Sequence, residues 1–509
     1  MADASTIAAP GNSASTIQRA AWIYDGICIS CLTVLAAVLR CAHLSAKSFW
    51  FDEGVSVAIA RLDWYNFLRI LGRREANMTL YYLLLRPWLL LGHSEAFVRA
   101  LSVIFGVAAI PAIYFLGKEI YNRQAGLIAA ALLTVNALHI DHSQEARSYP
   151  LFVLLSILST YFFWRSMKVP SRQNLRWHIM ASVLAVYAHF FATLLLAVQW
   201  CWIRLRGMIS PAWKRNWLWI VIFSAPLFVF IVTTGAGPLA WIPRPGWQEV
   251  SRFLTALTGN AGWPLVTLYC VAIVIVIIFL RQKPSTEDRG ATQFLLFWLF
   301  APILLIFLIS QLRSFFLTRY FLFLLPPLLL LAARGIQYLP RTSSRLLALV
   351  LFLALSWQGL RSSYAHDLDV PREDWRQASA YVLNHAQPGD ALVFHTLMGR
   401  MPFEFYRWDA RGPIVVAPRH ADKITYQDFL GRPDRKLLES LVTKHPRVWV
   451  VLSHNERGLG QAPDDTTAMI REVLRQSYQH EWEAAFVGVD VLLYDKPIAA
   501  TDPSVTGEL

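Results

Sequence analysis

Charge and cysteine are the two things this chain has little of. Only 16% of its 509 residues are Asp, Glu, Lys or Arg, against about a quarter in an ordinary soluble domain, which argues against a solvated enzyme of this length. The five cysteines, Cys28, Cys31, Cys41, Cys201 and Cys270, all lie in or beside apolar runs and the C-terminal part has none. That excludes a disulfide framework or a cysteine zinc site, and Cys28 and Cys31 read as small residues packed in the first apolar run. Acidic residues are scarce as well, 34 against 47 Lys and Arg, leaving a formal net charge of +13. A nucleic-acid partner is not implied, because most basic residues fall in short loops between apolar runs, where they orient helices across a bilayer. No repeat of fixed period stands out. The first 20 residues have no apolar segment of their own, so the first run is expected to be an uncleaved signal anchor.

What the chain does have is apolar length. It is 55% hydrophobic, with a mean hydropathy of +0.40, and runs of nearly 20 residues recur from about residue 21 to about residue 361. Each nearly suffices for the roughly 30 Å hydrocarbon layer. Twelve runs can be drawn, but NMTLYYLLLRPWLLLG (77–92) is short and broken by Arg86 and Pro87. A charge near the middle of a lipid-facing span costs roughly 2.5 to 3.5 kcal/mol, so this segment is expected to lie at the interface. Eleven spans remain, near 22–42, 96–119, 124–140, 149–167, 176–190, 191–206, 216–234, 263–281, 293–312, 315–333 and 345–361. The Lys/Arg-rich loops then share the cytoplasmic side with an N-terminal tail, 1–21. The opposite, external side receives a long first loop (43–95), the loop 139–149, the turn near His189, the loop 235–262, the turn near Arg313 and a soluble tail, 362–509. In that tail, helical spacing from Glu373, the Pro388-Gly389-Asp390 turn and the strand-like ALVFH, VWVVLSH and VDVLLYD predict an α/β domain.

This topology gathers three polar clusters on the external face. The first is the acid pair Asp52/Glu53 in SFWFDEGVSVAIAR, with Glu75 further along the loop. The second is HIDHSQEARSYP, which carries Asp141, His142, Glu145, Arg147 and Tyr149. The third is a set of cations near helix ends: Arg244, Arg313 and Arg319, with Tyr320 beside the last. Acids among aromatic rings at an interface are expensive to desolvate and need hydrogen bonds, cations or a purpose. Plainer readings stand beside each: Asp52/Glu53 as a helix cap, the 139–149 loop as a solvated connection, the arginines as snorkelling residues. His142 with Asp141 and Glu145 suggests a metal, but no regular ligand spacing supports one; no metal ligand is assigned, and a divalent metal requirement stays open.

FWFDEG after the first span, the segment from Asn77 to Gly92, SQEARSYP before the fourth span, RYFLFLLPPLLLLAARG and DWRQASAYVLNHAQPGDALVF occur in the order of one family. The chain resembles the membrane glycosyltransferases of the GT-C fold, specifically the bacterial protein O-mannosyltransferase and aminoarabinose transferase superfamily. One departure is that Asn77-Met78-Thr79 stands where many relatives have His-Pro-Pro or Asn-Pro-Pro before the paired tyrosines, here Tyr81 and Tyr82. The resemblance implies a polyprenyl-phosphate-sugar donor, an acceptor lipid, glycan or protein, and inverting transfer in one displacement at the external face. Asp52 is then expected as the base that takes the acceptor's proton, with Glu53 positioning the acceptor or the loop, or the two roles exchanged. Glu145 is expected near the reaction centre. Arg147, Arg244 and Arg319, with Tyr149 and Tyr320, are expected on the donor phosphate, since guanidinium groups bind phosphate oxygens bidentately and stay charged. Glu75, Asn77, Tyr81, Asp141 and His142 are further candidates. The competing readings are an oligosaccharide polymerase or ligase using a lipid pyrophosphate, and a transporter or flippase of a lipid-linked sugar. Transport would favour charges near the bilayer midplane, whereas these charges crowd the external ends.

Overall fold

The computed structural model describes residues 11–234, 242, 244–282, 285–369, 373–396, 399–408, 410, 412–417, 431–453 and 464–497. Parts of three expected segments lie outside these residues: the N-terminal tail up to residue 10, much of 235–243 in the loop before helix Trp247–Thr258, and the end of the tail after residue 497. Two compact units emerge, one of residues 1–42 with 99–365 and one of 43–98 with 366–509.

Among its described residues the first unit is built of helices. Eight helices among the described residues are long and apolar enough to cross a membrane: Trp22–Cys41, Glu95–Ile120, Tyr149–Lys168, Pro211–Thr233, Trp263–Arg281, Thr286–Ser310, Thr318–Gln337 and Thr342–His366. A ninth follows if Arg123–Val135 and Ala137–Ser143, bent by 60° at one break, form a single span. The two other spans expected from sequence correspond to shorter helices, Arg172–Ala188 and Ala192–Leu205. Each of the eleven expected segments thus holds a helix, but only eight, or nine with the bent pair, are of spanning length among the described residues. The predicted 124–140 run is not one straight helix because Asn136 restarts it, its side chain accepting from His139 N at 3.0 Å. Close helix contact depends on small residues: a Cβ on Gly117 would stand 2.7 Å from the Gly126 backbone. Polar glue adds to this where His178 bonds Asn216 at 2.9 Å and Gln199 at 3.0 Å.

The second unit combines the first long loop with the tail. Helices Phe51–Arg61, Trp64–Arg73 and Thr79–Trp88 come from 43–98. The last of these has ten residues, about 15 Å at the helical rise, half the thickness of a bilayer core. Arg86, which interrupts the apolar run, is satisfied by Ala60 O at 3.1 Å and Leu62 O at 2.5 Å, the last carbonyls of Phe51–Arg61, where the helix dipole favours a cation. The tail builds a five-stranded sheet in the order β2-β1-β3-β5-β4 from β1 (Ala391–Phe394), β2 (Ile414–Ala417), β3 (Arg447–Leu452), β4 (Tyr478–Phe486) and β5 (Val489–Pro497). β1 pairs in parallel with β2 and β3, and β5 antiparallel with β3 and β4. Alternation divides the strand residues between two cores: Val393, Val448 and Val450 pack with Leu438 and Ile470, while Leu392, Phe394 and Trp449 pack with Trp375 and Phe403.

Candidate active site

In the second unit the acid pair sits in the first turn of Phe51–Arg61. Glu53 is fully buried and Asp52 half-buried. The N-cap residue Trp50 supplies no side-chain cap. That task falls to a distant carboxylate: Glu373 Oε2 accepts from Phe51 N at 2.9 Å and from Trp375 Nε1 at 2.6 Å. The approach to this turn is fixed too. Phe49 stacks on Phe405 at 4.2 Å, Phe49 N donates to the Tyr406 hydroxyl at 2.8 Å, and Arg376 pairs with Glu95, which also takes the Tyr406 hydroxyl's hydrogen bond. Burial, reinforced by Glu95, raises the Tyr406 pKa, so the phenol stays protonated. A Cβ on Gly54 would lie 2.6 Å from Pro402 N, so glycine directly after the acids is a steric requirement. Tyr81 is fully buried, and Glu75 and Asn77 are half-buried.

In the first unit, residues far apart in sequence meet around the Tyr149 ring, which is fully buried. The Arg147 and Arg319 guanidinium carbons lie 5.9 and 6.0 Å from its centroid, and His142 lies 5.0 Å away. His142 Nδ1 bonds Glu145 Oε2 at 2.9 Å. Tyr320 joins through His189, whose ring is 5.0 Å from Tyr320 and 5.9 Å from Tyr149. His142, Glu145, Arg147 and Tyr320 are all more than 90% buried, while Arg319 is half-buried and Arg313 exposed. The loop carrying them is clamped by reciprocal capping. Arg40, itself fully buried, donates to Leu133 O and Thr134 O and bonds His139 Nδ1 at 2.7 Å. Gln144 Nε2 donates to Arg40 O at 3.2 Å and Ala42 O at 2.7 Å. Each side chain thus satisfies carbonyls that the other segment's helix end leaves open.

Not every expected residue joins. Arg244 is exposed ahead of Trp247–Thr258 and makes no described contact with the Tyr149 cluster. Asp141 is half-buried at the end of Ala137–Ser143. Among the described residues no group of three His, Cys, Asp or Glu side chains is arranged to hold a metal ion. The sequence reading did not anticipate His189 as a site residue, nor Glu373, Arg376, Arg40 or Gln144 as supports. Glu373 and Arg376 had a signal, their places just before and within the conspicuous DWRQASAY.

The fold recurs in solved structures. ArnT from Cupriavidus metallidurans in the apo state superimposes with a TM-score of 0.64 over 94% of this chain and 98% of its own, at 12% identity. The fold is GT-C. ArnT bound to undecaprenyl phosphate gives 0.62 over 91% and 97%, at 11% identity. The Archaeoglobus fulgidus oligosaccharyltransferase in complex with Zn and sulfate gives 0.52 over 90% and 72%, at 12% identity. No protein-family model matches the sequence, and no curated protein sequence does. The GT-C likeness is carried by three-dimensional structure.

Proposed function

We propose that this protein is an inverting glycosyltransferase that moves a sugar from a polyprenyl-phosphate donor to an acceptor hydroxyl at the external face of the cytoplasmic membrane. The observation that carries the reading is the pair of guanidinium groups, Arg147 and Arg319, set about the buried Tyr149 ring in a GT-C fold. Two guanidiniums beside a phenol suit a phosphate, and a phosphate is what departs when sugar leaves a lipid carrier. A GT-C neighbour holds undecaprenyl phosphate, which supports the same class of ligand here. Because the leaving group is already a lipid phosphate, no nucleotide site is required.

In this reading Asp52 accepts the proton of the acceptor hydroxyl as its oxygen attacks the anomeric carbon. The bond from that carbon to the phosphate oxygen breaks in the same displacement, so the sugar's configuration inverts. Arg147 and Arg319 take up the charge growing on the phosphate, a role in which donors in place beforehand are most effective. Glu53 holds the turn or the acceptor. Glu145, hydrogen-bonded to His142, fixes the loop that presents Arg147. Among the described residues no group of three His, Cys, Asp or Glu side chains is arranged to hold a metal ion, and no step passes through one. The acceptor is a lipid, a glycan or a protein.

The test is transfer in proteoliposomes loaded with a polyprenyl-phosphate sugar. Asp52→Asn removes transfer while donor binding stays within a fewfold of wild type. Transfer at the wild-type rate by this variant would refute the base assignment.

A further inference from the structure

His189 stands between Arg172–Ala188 and Ala192–Leu205 and is 1% exposed. Its ring is held on several sides: by Phe152 at 4.9 Å and 18°, by Phe191 at 5.6 Å, by Tyr320 at 5.0 Å and by Tyr149 at 5.9 Å. Phe191 N donates to His189 Nδ1 at 3.2 Å. A neutral imidazole that accepts at Nδ1 carries its proton on Nε2, so the backbone of the turn assigns the tautomer. That Nε2 is buried and has no hydrogen-bond partner among the described residues. Buried donors are seldom left so.

The neighbours explain what is missing. Arg147 and Arg319 both act electrostatically on the His189 ring, and both share the Tyr149 ring with it. Guanidinium groups have no acceptor, so neither can satisfy the Nε2 proton. Two guanidinium groups and the His189 Nε2–H are therefore donors gathered about one aromatic platform, a setting that suits an oxyanion with several oxygens. We propose that His189 is a phosphate-binding residue, its Nε2–H donating to the lipid phosphate that Arg147 and Arg319 hold. This rests on the polyprenyl-phosphate reading above and adds a neutral donor to it. The neutral donor has a distinct use, since it binds the phosphate without adding a third positive charge to a buried place that already holds two.

The experiment uses the full-length protein in nanodiscs with undecaprenyl phosphate as the probe. His189→Phe preserves the ring stack on Phe152 and removes the donor. It is expected to weaken lipid binding by about 10- to 100-fold, the range for a hydrogen bond to a charged group, while the lipid-free melting temperature stays near wild type. His189→Gln restores an N–H donor and recovers binding by about tenfold over the Phe variant. In wild-type protein with 15N-labelled histidine, the Nε2 proton resonance of His189 moves downfield when the lipid is added, a readout that does not depend on any variant folding. Unchanged affinity in His189→Phe, or an Nε2 resonance indifferent to saturating lipid, overturns the proposal. Wild-type protein that fails to bind undecaprenyl phosphate at all overturns instead the functional reading on which it rests.

Discussion

Glu373 offers the sharpest check on how the acid pair is held. Its Oε2 accepts from Phe51 N at 2.9 Å and from Trp375 Nε1 at 2.6 Å, and the side chain is 7% exposed. Glu373→Ala leaves both donors without this acceptor in a place with little access to water. Each such loss costs about 1 to 3 kcal/mol, and the Phe51 N bond is the one that holds the first turn of Phe51–Arg61, so that turn should be destabilised by about 3 kcal/mol. Glu373→Gln keeps an acceptor and loses only the charge assistance, for about 1 to 2 kcal/mol. Hydrogen exchange reads this directly, because the amides from Phe51 to Ser56 open locally before the fold does. At 1.4 kcal/mol per factor of ten, exchange there should quicken by about a hundredfold in the Ala variant and about tenfold in the Gln variant. Protection in the sheet should change less. If the Ala variant exchanges within about threefold of wild type at these amides, Glu373 is not the cap, and the explanation for a helix start without its own capping side chain is wrong.

Arg86→Gln should destabilise the other end of the same helix by about 1 to 3 kcal/mol, since a charged donor to Ala60 O and Leu62 O is replaced by a shorter neutral one; exchange at residues 58–62 measures it. In the sheet unit, burial holds the His395 pKa below 6.5, although Asp464 pulls it upward. The unfolded histidine binds its proton first, so this contribution to stability is complete above pH 6.5 and declines as pH falls below it. Asp464 is pushed up by burial, but hydrogen bonds from Thr467 and His395 outweigh that and lower its pKa, so its contribution also falls in acid. Protection of β1 and β3, corrected for intrinsic exchange, should therefore drop as pH falls from 7 to 5 through His395 and again below about pH 4 through Asp464, and His395→Asn should flatten the first of these drops. For orientation, Arg244→Cys in a background without the five native thiols should react with an impermeant reagent from outside the cell, whereas Arg206→Cys should not. The reverse pattern would invert the proposed topology.

How much of this was legible depended on whether a residue's meaning is local. The membrane helices followed from run length, and β1, β3 and β5 from short, strongly apolar strands. β4, with Gln479, His480, Glu481 and Glu483, has an ordinary polar composition and is a strand because β5 pairs with it along its whole length. Asp52 and Glu53 stood out because two adjacent acids among aromatic rings are costly anywhere. His189 did not stand out, since one histidine in a turn has no period, and its tautomer is set by the Phe191 backbone amide. The long first loop carries little sign of its partner in the sequence. It groups with the tail because Phe49, Ser48 and Glu95 find Phe405, Tyr406 and Arg376 more than 280 positions away.

By itself, then, the sequence determined a helical membrane protein with an α/β tail, because the cost of placing charge in hydrocarbon is paid residue by residue and shows in composition and run length. It also determined where unusual acids and arginines lie. Tertiary structure decided which of them meet: Arg147 and Arg319, 172 positions apart, share the Tyr149 ring, while Arg244 stays exposed. Convergence of that kind depends on how helices cross and where a span breaks at Asn136, and both are properties of packed surfaces that no single stretch of chain contains.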